Sequence, residues 1–215
     1  MDRPRYGTIS VPSKHATAVT PGRGPCGCGR YREDQLEIGS TEVTDHDRYR
    51  EAGGIEIERA TAADIDGILD LQARNQPARG GTLSHSFPRA SVAAMIAAMP
   101  VIVARREGRV VGYLMSAPLS ATAEVPILQA MLTAYRGTAD AYVYGPICVA
   151  AAERGHGLAG AMFAALRQRL PGREGILFIR RDNAASRAAH EKMGIRRVGE
   201  FSQDGVLYDI LSSRG

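Results

Sequence analysis

Residues 149–160 read Val-Ala-Ala-Ala-Glu-Arg-Gly-His-Gly-Leu-Ala-Gly. This stretch follows an apolar run over 142–149 that predicts a β-strand, and it leads into an apolar stripe over 157–170 that predicts an α-helix. The first N–H groups of a helix lack intrahelical partners and lie at the positive end of its dipole. Glycines let the backbone approach a ligand closely. The stretch therefore predicts a pyrophosphate-binding turn, to which Arg154 adds a cationic fork.

The glycines of this turn also match the Rossmann dinucleotide fingerprint Gly-x-Gly-x-x-Gly, with Asp182 about twenty residues beyond. The context argues against that fold, because Ala150 to Arg154 separate the strand from the first glycine. Too little chain follows the turn for the rest of a doubly wound domain. A P-loop also fails, because no Lys-Ser or Lys-Thr follows the glycines.

Hydrophobic periodicity and turn residues predict the other elements. Strands are expected over 55–59, 101–105, 109–115, 142–149, 176–180, 197–201 and 206–211, and helices over 61–75, 90–98, 123–135, 157–170 and 183–193. Glu107-Gly108 and Gln203-Asp-Gly205 predict two hairpin turns.

Composition sets broad limits. The 215 residues are 44% hydrophobic and 23% charged, which excludes collagen, a coiled coil and wholesale disorder. A net charge of +4 without a dense basic stripe argues against a nucleic-acid partner. No run approaches the roughly 18 apolar residues of a membrane span, and the first residues lack a signal-peptide core. Three scattered cysteines favour a reducing cytoplasm.

Residues 1–54 differ from the rest. They contain six Leu, Ile, Val or Phe residues against eight glycines and four prolines. Such a segment buries too little apolar surface to offset the entropy of ordering. We therefore predict a flexible N-terminal tail over 1–54 and a folded domain over 55–215. Cys26 and Cys28 lack the partners of a zinc site, so no metal is expected.

Two motifs resemble the GNAT superfamily of acetyl-CoA-dependent N-acetyltransferases. Arg154-x-x-Gly157-x-Ala159 resembles its Arg/Gln-x-x-Gly-x-Gly/Ala signature. Residues 183–195, Asn-Ala-Ala-Ser-Arg-Ala-Ala-His-Glu-Lys-Met-Gly-Ile, are similar to its Asn-x-x-Ala/Ser-x-x-x-Tyr-Glu-Lys-x-Gly-Phe pattern. The element order over 55–211 also fits. The resemblance implies an α/β fold with a GNAT-type mixed, mostly antiparallel central sheet flanked by helices, although residues 116–140 are longer than the family's usual connection.

The resemblance implies acetyl-CoA as co-substrate. The amides of the turn would cradle its pyrophosphate, and the strand before the turn would run beside the pantetheine arm. A main-chain N–H there would polarise the thioester carbonyl. Asn183 could instead be only a helix N-cap, and Ser186 could make only a local contact within its helix, without touching a ligand. The implied cofactor-binding residues are Ile147, Cys148, Val149, Arg154, Gly155, His156, Gly157, Leu158, Ala159, Asn183 and Ser186.

His190 stands where the family pattern has tyrosine, whose implied task is to protonate the departing thiolate. A histidine can donate a proton, and packing alone is the alternative. Tyr144 and Tyr208 could take over the role of proton donor from His190. The two residues predicted to be catalytic are His190 and Tyr144. The general base stays open, because the strand over 142–149 carries no carboxylate.

Three other residues enter this catalytic question. Glu124 and His85 lie in variable segments that could approach the acceptor, and water-mediated deprotonation needs neither of them. Cys148 could form an acyl-enzyme, but a small buried strand residue is the favoured interpretation.

These observations predict an N-acetyltransferase that works by direct attack of an amine within a ternary complex. An acyl-CoA-binding module with little turnover is the alternative, and a dinucleotide-binding oxidoreductase a distant third. The acceptor, a small-molecule or peptide amine, is not readable from residues 77–90, 116–140 or 202–206. A cytoplasmic protein with no nucleic-acid or membrane partner is expected, and its oligomeric state stays open, a homodimer included.

Overall fold

The computed structural model describes residues 49–51, 54–81, 83 and 85–214. The strands of this part of the chain are β1 (Tyr49–Glu51), β2 (Ile55–Arg59), β3 (Ile102–Arg106), β4 (Arg109–Pro118), β5 (Tyr142–Val149), β6 (Gly175–Arg180), β7 (Arg196–Gln203) and β8 (Val206–Ser212). Its α-helices are α1 (Ile65–Arg74), α2 (Arg89–Ala98), α3 (Pro126–Ala134), α4 (Leu158–Arg169) and α5 (Ala184–Lys192). Every strand and helix predicted from the sequence is present, with ends displaced by a few residues.

The strands form one sheet in the order β1-β2-β3-β4-β5-β6-β8-β7. All neighbours in it run antiparallel except β5 and β6, which run parallel. The predicted mixed, mostly antiparallel sheet is confirmed. A doubly wound dinucleotide fold is excluded, because it needs a mostly parallel sheet.

The helices cover both faces of this sheet. Neighbouring strand residues point to opposite faces, so Ile210 packs with Met131 of α3 while Leu211 packs in the cluster beneath α4. In α4, Leu158 and Met162 are buried against the second of these faces. Helices α1 and α2 pack on the same face as α3, over β3, β4 and β5.

The segment predicted as a flexible tail is described only at its end. Tyr49–Glu51 forms the edge strand β1 and pairs with β2, from Tyr49 opposite Ile57 to Glu51 opposite Ile55. Residues 1–48, with Cys26 and Cys28, lie outside the described residues. Within the described part, no helix is long and apolar enough to cross a membrane.

A chain that begins at Gly54 is expected to melt cooperatively, with a Tm within about 5 °C of the full chain. It loses β1, whose described pairing is limited to one neighbour at the sheet edge. Thermal unfolding followed by circular dichroism measures this. A chain that begins at Ala60 is the control: it also loses Ile55 and the fully buried Ile57, so we expect a much lower Tm. Loss of cooperative melting in the Gly54 chain would show that residues 1–53 belong to the core.

Candidate active site

The two parallel strands at the centre of the sheet separate after a short contact. They pair only at Tyr142 opposite Gly175 and at Val143 opposite Ile176. Beyond this point β5 continues beside β4, and β6 continues beside β8. A V-shaped opening therefore separates the later residues of β5 from those of β6. We call it the central cleft.

Main-chain groups of β5 line one side of the central cleft. The N–H of Ala150 donates to the Val111 carbonyl on β4 at 2.8 Å. Because successive residues of a strand direct these groups to alternate sides, those of Cys148 also face β4, and those of Ile147 and Val149 face the cleft. Two of the three strand residues predicted to bind the cofactor therefore present main-chain groups to the cleft.

Cys148, the third of these residues, is oriented away from the cleft. Its side chain is buried with Tyr113 beneath α1 and α2. Burial raises the pKa of the Cys148 thiol to about 11, so the thiol is protonated at neutral pH. This is the environment expected of a small core residue and not of a nucleophile.

The glycine-rich turn connects β5 to α4 and lies open to solvent. Gly155 and Gly157 have φ angles of 83° and 81°, in the left-handed region that glycine adopts without strain. A Cβ atom at either position would meet nothing within 4 Å. The first bond within α4 joins the Ala161 N–H to the Gly157 carbonyl at 3.1 Å. The N–H groups of Leu158 and Ala159 precede that bond and have no partner within the helix.

Two side chains anchor the start of this turn. Glu153 accepts two hydrogen bonds from Arg106 at the end of β3, at 2.7 and 2.9 Å. Arg154 donates through Nε to the Val149 carbonyl at 3.1 Å, and its terminal nitrogen donates to the buried Asn75. The guanidinium predicted to face a phosphate is thus bound within the protein. The main-chain amides of the turn are left as the candidate donors to a phosphate, and the exposed His156 lies among them.

Helix α5 brings a second set of predicted residues to the same face as α4. Asn183 caps the helix, its Oδ1 accepting from the Ser186 N–H at 3.1 Å. His190 Nδ1 lies 2.7 Å from the Ser186 carbonyl oxygen and 3.5 Å from the Ser186 hydroxyl. The helix N-cap and the local contact foreseen as alternatives for Asn183 and Ser186 are both present.

Tyr144 and His190 form the polar centre of the site. Their ring centroids are 5.5 Å apart in an edge-to-face arrangement, and Tyr144 contacts Phe163 of α4 in the same way. The Tyr144 hydroxyl and His190 Nε2 are both buried and have no hydrogen-bond partner among the described residues. Buried polar atoms are nearly always paired in proteins. These two are among six such side-chain atoms in the described residues, and because they are neighbours their surroundings are a candidate ligand site.

The two groups differ in protonation. A carbonyl oxygen only accepts, so His190 carries its proton on Nδ1 and presents a lone pair at Nε2. Burial lowers the pKa of His190, although the bond to Ser186 opposes that effect, so the neutral form is favoured. Burial raises the pKa of Tyr144 well above its ordinary value, which keeps its hydroxyl protonated. Tyr144 is thus a donor and His190 an acceptor.

An ion-pair network fixes α5 against the sheet. Asp209 on β8 is 2% exposed and receives hydrogen bonds from Arg197 at 2.9 Å, Arg181 at 3.0 Å and Arg187 at 3.2 Å. Burial raises the pKa of Asp209, but the three arginines outweigh it and hold that pKa below its usual value. Arg187 lies one turn before His190. This network could not be predicted from the sequence, because Asp209 is remote from α5 along the chain.

The remaining sequence candidates lie elsewhere. Tyr208 stacks on Phe201, with ring centroids 5.1 Å apart, on the face that α3 covers, opposite Tyr144. Glu124 and His85 are exposed, and His85 packs edge-on against Phe87. Among the described residues, no group of three His, Cys, Asp or Glu side chains could hold a metal ion.

A family model matches most of the described part of this chain. Residues 66–195 match the model of the Acetyltransferase (GNAT) family, which is well over half of the chain. The chain belongs to the GNAT acetyltransferase family. A comparison with curated protein sequences finds no significant match.

Solved structures of GNAT acetyltransferases share the fold. A GNAT family acetyltransferase from Streptococcus agalactiae has a TM-score of 0.59 at 17% identity, covering 77% of this chain and 98% of its own. A ribosomal-protein-S18-alanine N-acetyltransferase from Escherichia coli has a TM-score of 0.54 at 15% identity, covering 74% of this chain and 92% of its own. A phosphinothricin acetyltransferase from Sinorhizobium meliloti, solved in complex with acetyl-CoA, has a TM-score of 0.53 at 20% identity, covering 74% of this chain and 87% of its own.

Proposed function

We propose that this GNAT protein is an acetyl-CoA-dependent N-acetyltransferase that transfers the acetyl group directly to an amine. The observation that carries the proposal is the central cleft. It joins the open glycine-rich turn at the end of β5 to the unpartnered Tyr144 and His190. One elongated ligand with a pyrophosphate at one end and a thioester at the other fits both.

Acetyl-CoA is the co-substrate, and the described residues fit it. The amides of the turn over 154–159 hold its pyrophosphate at the start of α4. Ile147 and Val149 offer main-chain groups to the amides of its pantetheine arm, as an added strand would receive them. A main-chain N–H of β5 is available to polarise the thioester carbonyl. The family relationship and a neighbour solved with acetyl-CoA support this assignment.

The reaction then follows from the donor and acceptor at the polar centre. A neutral amine attacks the acetyl carbon, the carbon–sulfur bond breaks, and its electron pair stays on sulfur. The Tyr144 hydroxyl donates a hydrogen bond to that sulfur as negative charge develops on it, and the surplus proton of the new amide passes through water to the thiolate. Next to the Tyr144 hydroxyl, His190 Nε2 accepts a hydrogen bond from the bound substrates. Orientation of the two substrates in one complex supplies much of the rate.

Direct transfer predicts a sequential kinetic pattern. Among the described residues, Cys148 is the free cysteine that could carry an acetyl group. Its raised pKa keeps the thiol protonated, which disfavours an acyl-enzyme. We expect intersecting lines when initial rates are measured with acetyl-CoA and amine both varied. Parallel lines, with an acetylated protein seen by mass spectrometry when no amine is present, would contradict direct transfer.

Cofactor choice is a separate prediction. Acetyl-CoA is expected to bind the full chain, and NAD and NADP are expected not to, because the sheet lacks the parallel strands of a dinucleotide fold. Calorimetric titration with each compound measures this. Tighter binding of NAD than of acetyl-CoA would overturn the proposed function.

The acceptor is proposed only as a class. Neighbouring structures include enzymes named for phosphinothricin and for a ribosomal-protein alanine, so a small-molecule or a peptide amine suits this fold. The scattered cysteines support a cytoplasmic location. Added amine accelerates the release of coenzyme A if the protein is an enzyme, and it does not if the protein is an acyl-CoA-binding module with little turnover.

A further inference from the structure

Helix α5 lacks the large apolar side chains that hold α4 in place. Its nine residues, Ala-Ala-Ser-Arg-Ala-Ala-His-Glu-Lys, include no Leu, Ile, Val, Phe or Met, and His190 is the one that is buried. In α4 five side chains are buried, among them Leu158, Met162 and Phe163. Packing of an apolar face supplies most of the stability of a helix in a protein. The place of α5, and with it that of His190, therefore depends on other contacts.

Asp209 on β8 supplies such a contact from the sheet. Its Oδ1 accepts from Arg197 on β7 at 2.9 Å and from Arg181, which follows β6, at 3.0 Å. Its Oδ2 accepts from Nη1 of Arg187 at 3.2 Å, and Arg187 is the α5 residue of this network. The first two arginines thus hold and neutralise the carboxylate within the sheet, and the third joins it to the helix.

The bond between Arg187 and Asp209 lies close to the polar centre. Arg187 comes three residues before His190, so the two are neighbours on the helix surface. The Arg187 Nε is buried and has no hydrogen-bond partner among the described residues, so Asp209 is the group that holds this guanidinium. A buried ion pair adds little net stability, but it can fix one arrangement of the elements that it joins.

We propose that Arg187, held by Asp209, is a positioning residue that sets the place of His190 against Tyr144. The inference deepens the proposed function, and its kinetic readout rests on that function. Without the bond, α5 has no large apolar side chain to bring it back to the same place. His190 then moves relative to Tyr144, and the hydrogen bond that its Nε2 accepts from the substrates is misplaced. A shift of about 1 Å is enough to lower a rate substantially.

Arg187→Met tests this proposal, because methionine keeps the apolar stem and leaves Asp209 two arginines, which preserves the fold. We expect kcat to fall about fivefold, with the Kd for acetyl-CoA unchanged within about twofold. In His190→Phe, which has no imidazole to misplace, the same substitution is expected to lower kcat by less than about twofold. Arg187→Lys can still reach Asp209 with one N–H, so its kcat is expected to stay within about twofold of the unaltered chain.

Proton NMR of the full chain provides a readout that is independent of turnover. The edge-to-face contact with Tyr144 shifts the signals of the His190 ring protons, which are identified by their absence in His190→Phe. We expect these signals to move toward the positions of an exposed histidine in Arg187→Met and to stay in place in Arg187→Lys.

Arg197→Met is the matched control, because it takes one cation from the same carboxylate but belongs to β7. It is expected to lower the Tm as Arg187→Met does, within about 3 °C, while kcat and the His190 signals are kept. Unchanged kcat and His190 signals in Arg187→Met, or equal changes in Arg197→Met, would overturn the positioning role. His190 signals that move in a chain that acetylates no amine would support the positioning role and overturn the proposed function.

Discussion

Gly157→Asp is expected to abolish acetyl-CoA binding, with a Kd raised by at least about 100-fold. Gly157 caps α4 with a φ of 81°, and a Cβ atom there would face open space at the place proposed for the pyrophosphate. An aspartate there puts a carboxylate against the phosphates. In the free protein a carboxylate at a helix N-cap is favourable, which partly offsets the backbone strain. The loss is therefore expected in calorimetric titration more than in thermal unfolding.

A matched control separates backbone strain from the effect on the ligand. Gly172 follows α4 in an exposed turn, has a φ of 72°, and a Cβ atom there would also meet nothing within 4 Å. Gly172→Asp adds the same charge and the same left-handed strain outside the site. We expect it to bind acetyl-CoA as the unaltered chain does. If Gly157→Asp also bound normally, the phosphate-binding turn would be wrongly assigned.

Tyr144→Phe is expected to lower kcat by about 100-fold, the range typical of losing a hydrogen-bond donor to developing charge, with little change in the Kd for acetyl-CoA. The variant keeps the ring that packs against Phe163 and His190 and removes the hydroxyl that lacks a partner. Because that hydroxyl makes no bond with a described residue, its removal should not lower the Tm. Steady-state kinetics, titration and melting of one preparation provide the three readouts.

His190 supplies the competing explanation, which the sequence suggested. If His190 were the donor, its charged form would be required, and kcat would fall as pH rises through a pKa that burial places below the ordinary value of about 6.5. We expect instead no such fall between pH 6 and 8, because Tyr144 stays protonated there. His190→Phe is expected to cost less than about tenfold in kcat, and His190→Tyr to retain activity. Full activity in Tyr144→Phe with a 100-fold loss in His190→Phe would assign the proton to His190.

The sequence predicted those features that depend on neighbours along the chain. The glycines of the turn, the apolar stripe of α4 and the N-cap at Asn183 all act within one or two helical turns. They placed the turn and α5 correctly. The strand β1 was missed because Tyr49–Glu51 is three residues long and has no apolar alternation to indicate it.

Features that depend on distant contacts could not be predicted in this way. Arg154 was expected at a phosphate, but Asn75, 79 residues earlier in the chain, accepts its hydrogen bond. The orientation of Cys148 depends on how β5 pairs with β4, where the register shifts between Leu114 and Ser116. The proton on His190 is fixed by the Ser186 carbonyl, which a motif of side chains does not include.

The measurement that tests direct acetyl transfer most directly combines the full chain, acetyl-CoA and a panel of small-molecule and peptide amines. Free coenzyme A and acetylated amine are both quantified over time. We expect that at least one amine accelerates release of coenzyme A, in proportion to its concentration, and that acetyl amide forms in equal amount. Tight binding of acetyl-CoA with a slow release that no amine in the panel accelerates would contradict it, and would make the protein an acyl-CoA-binding module.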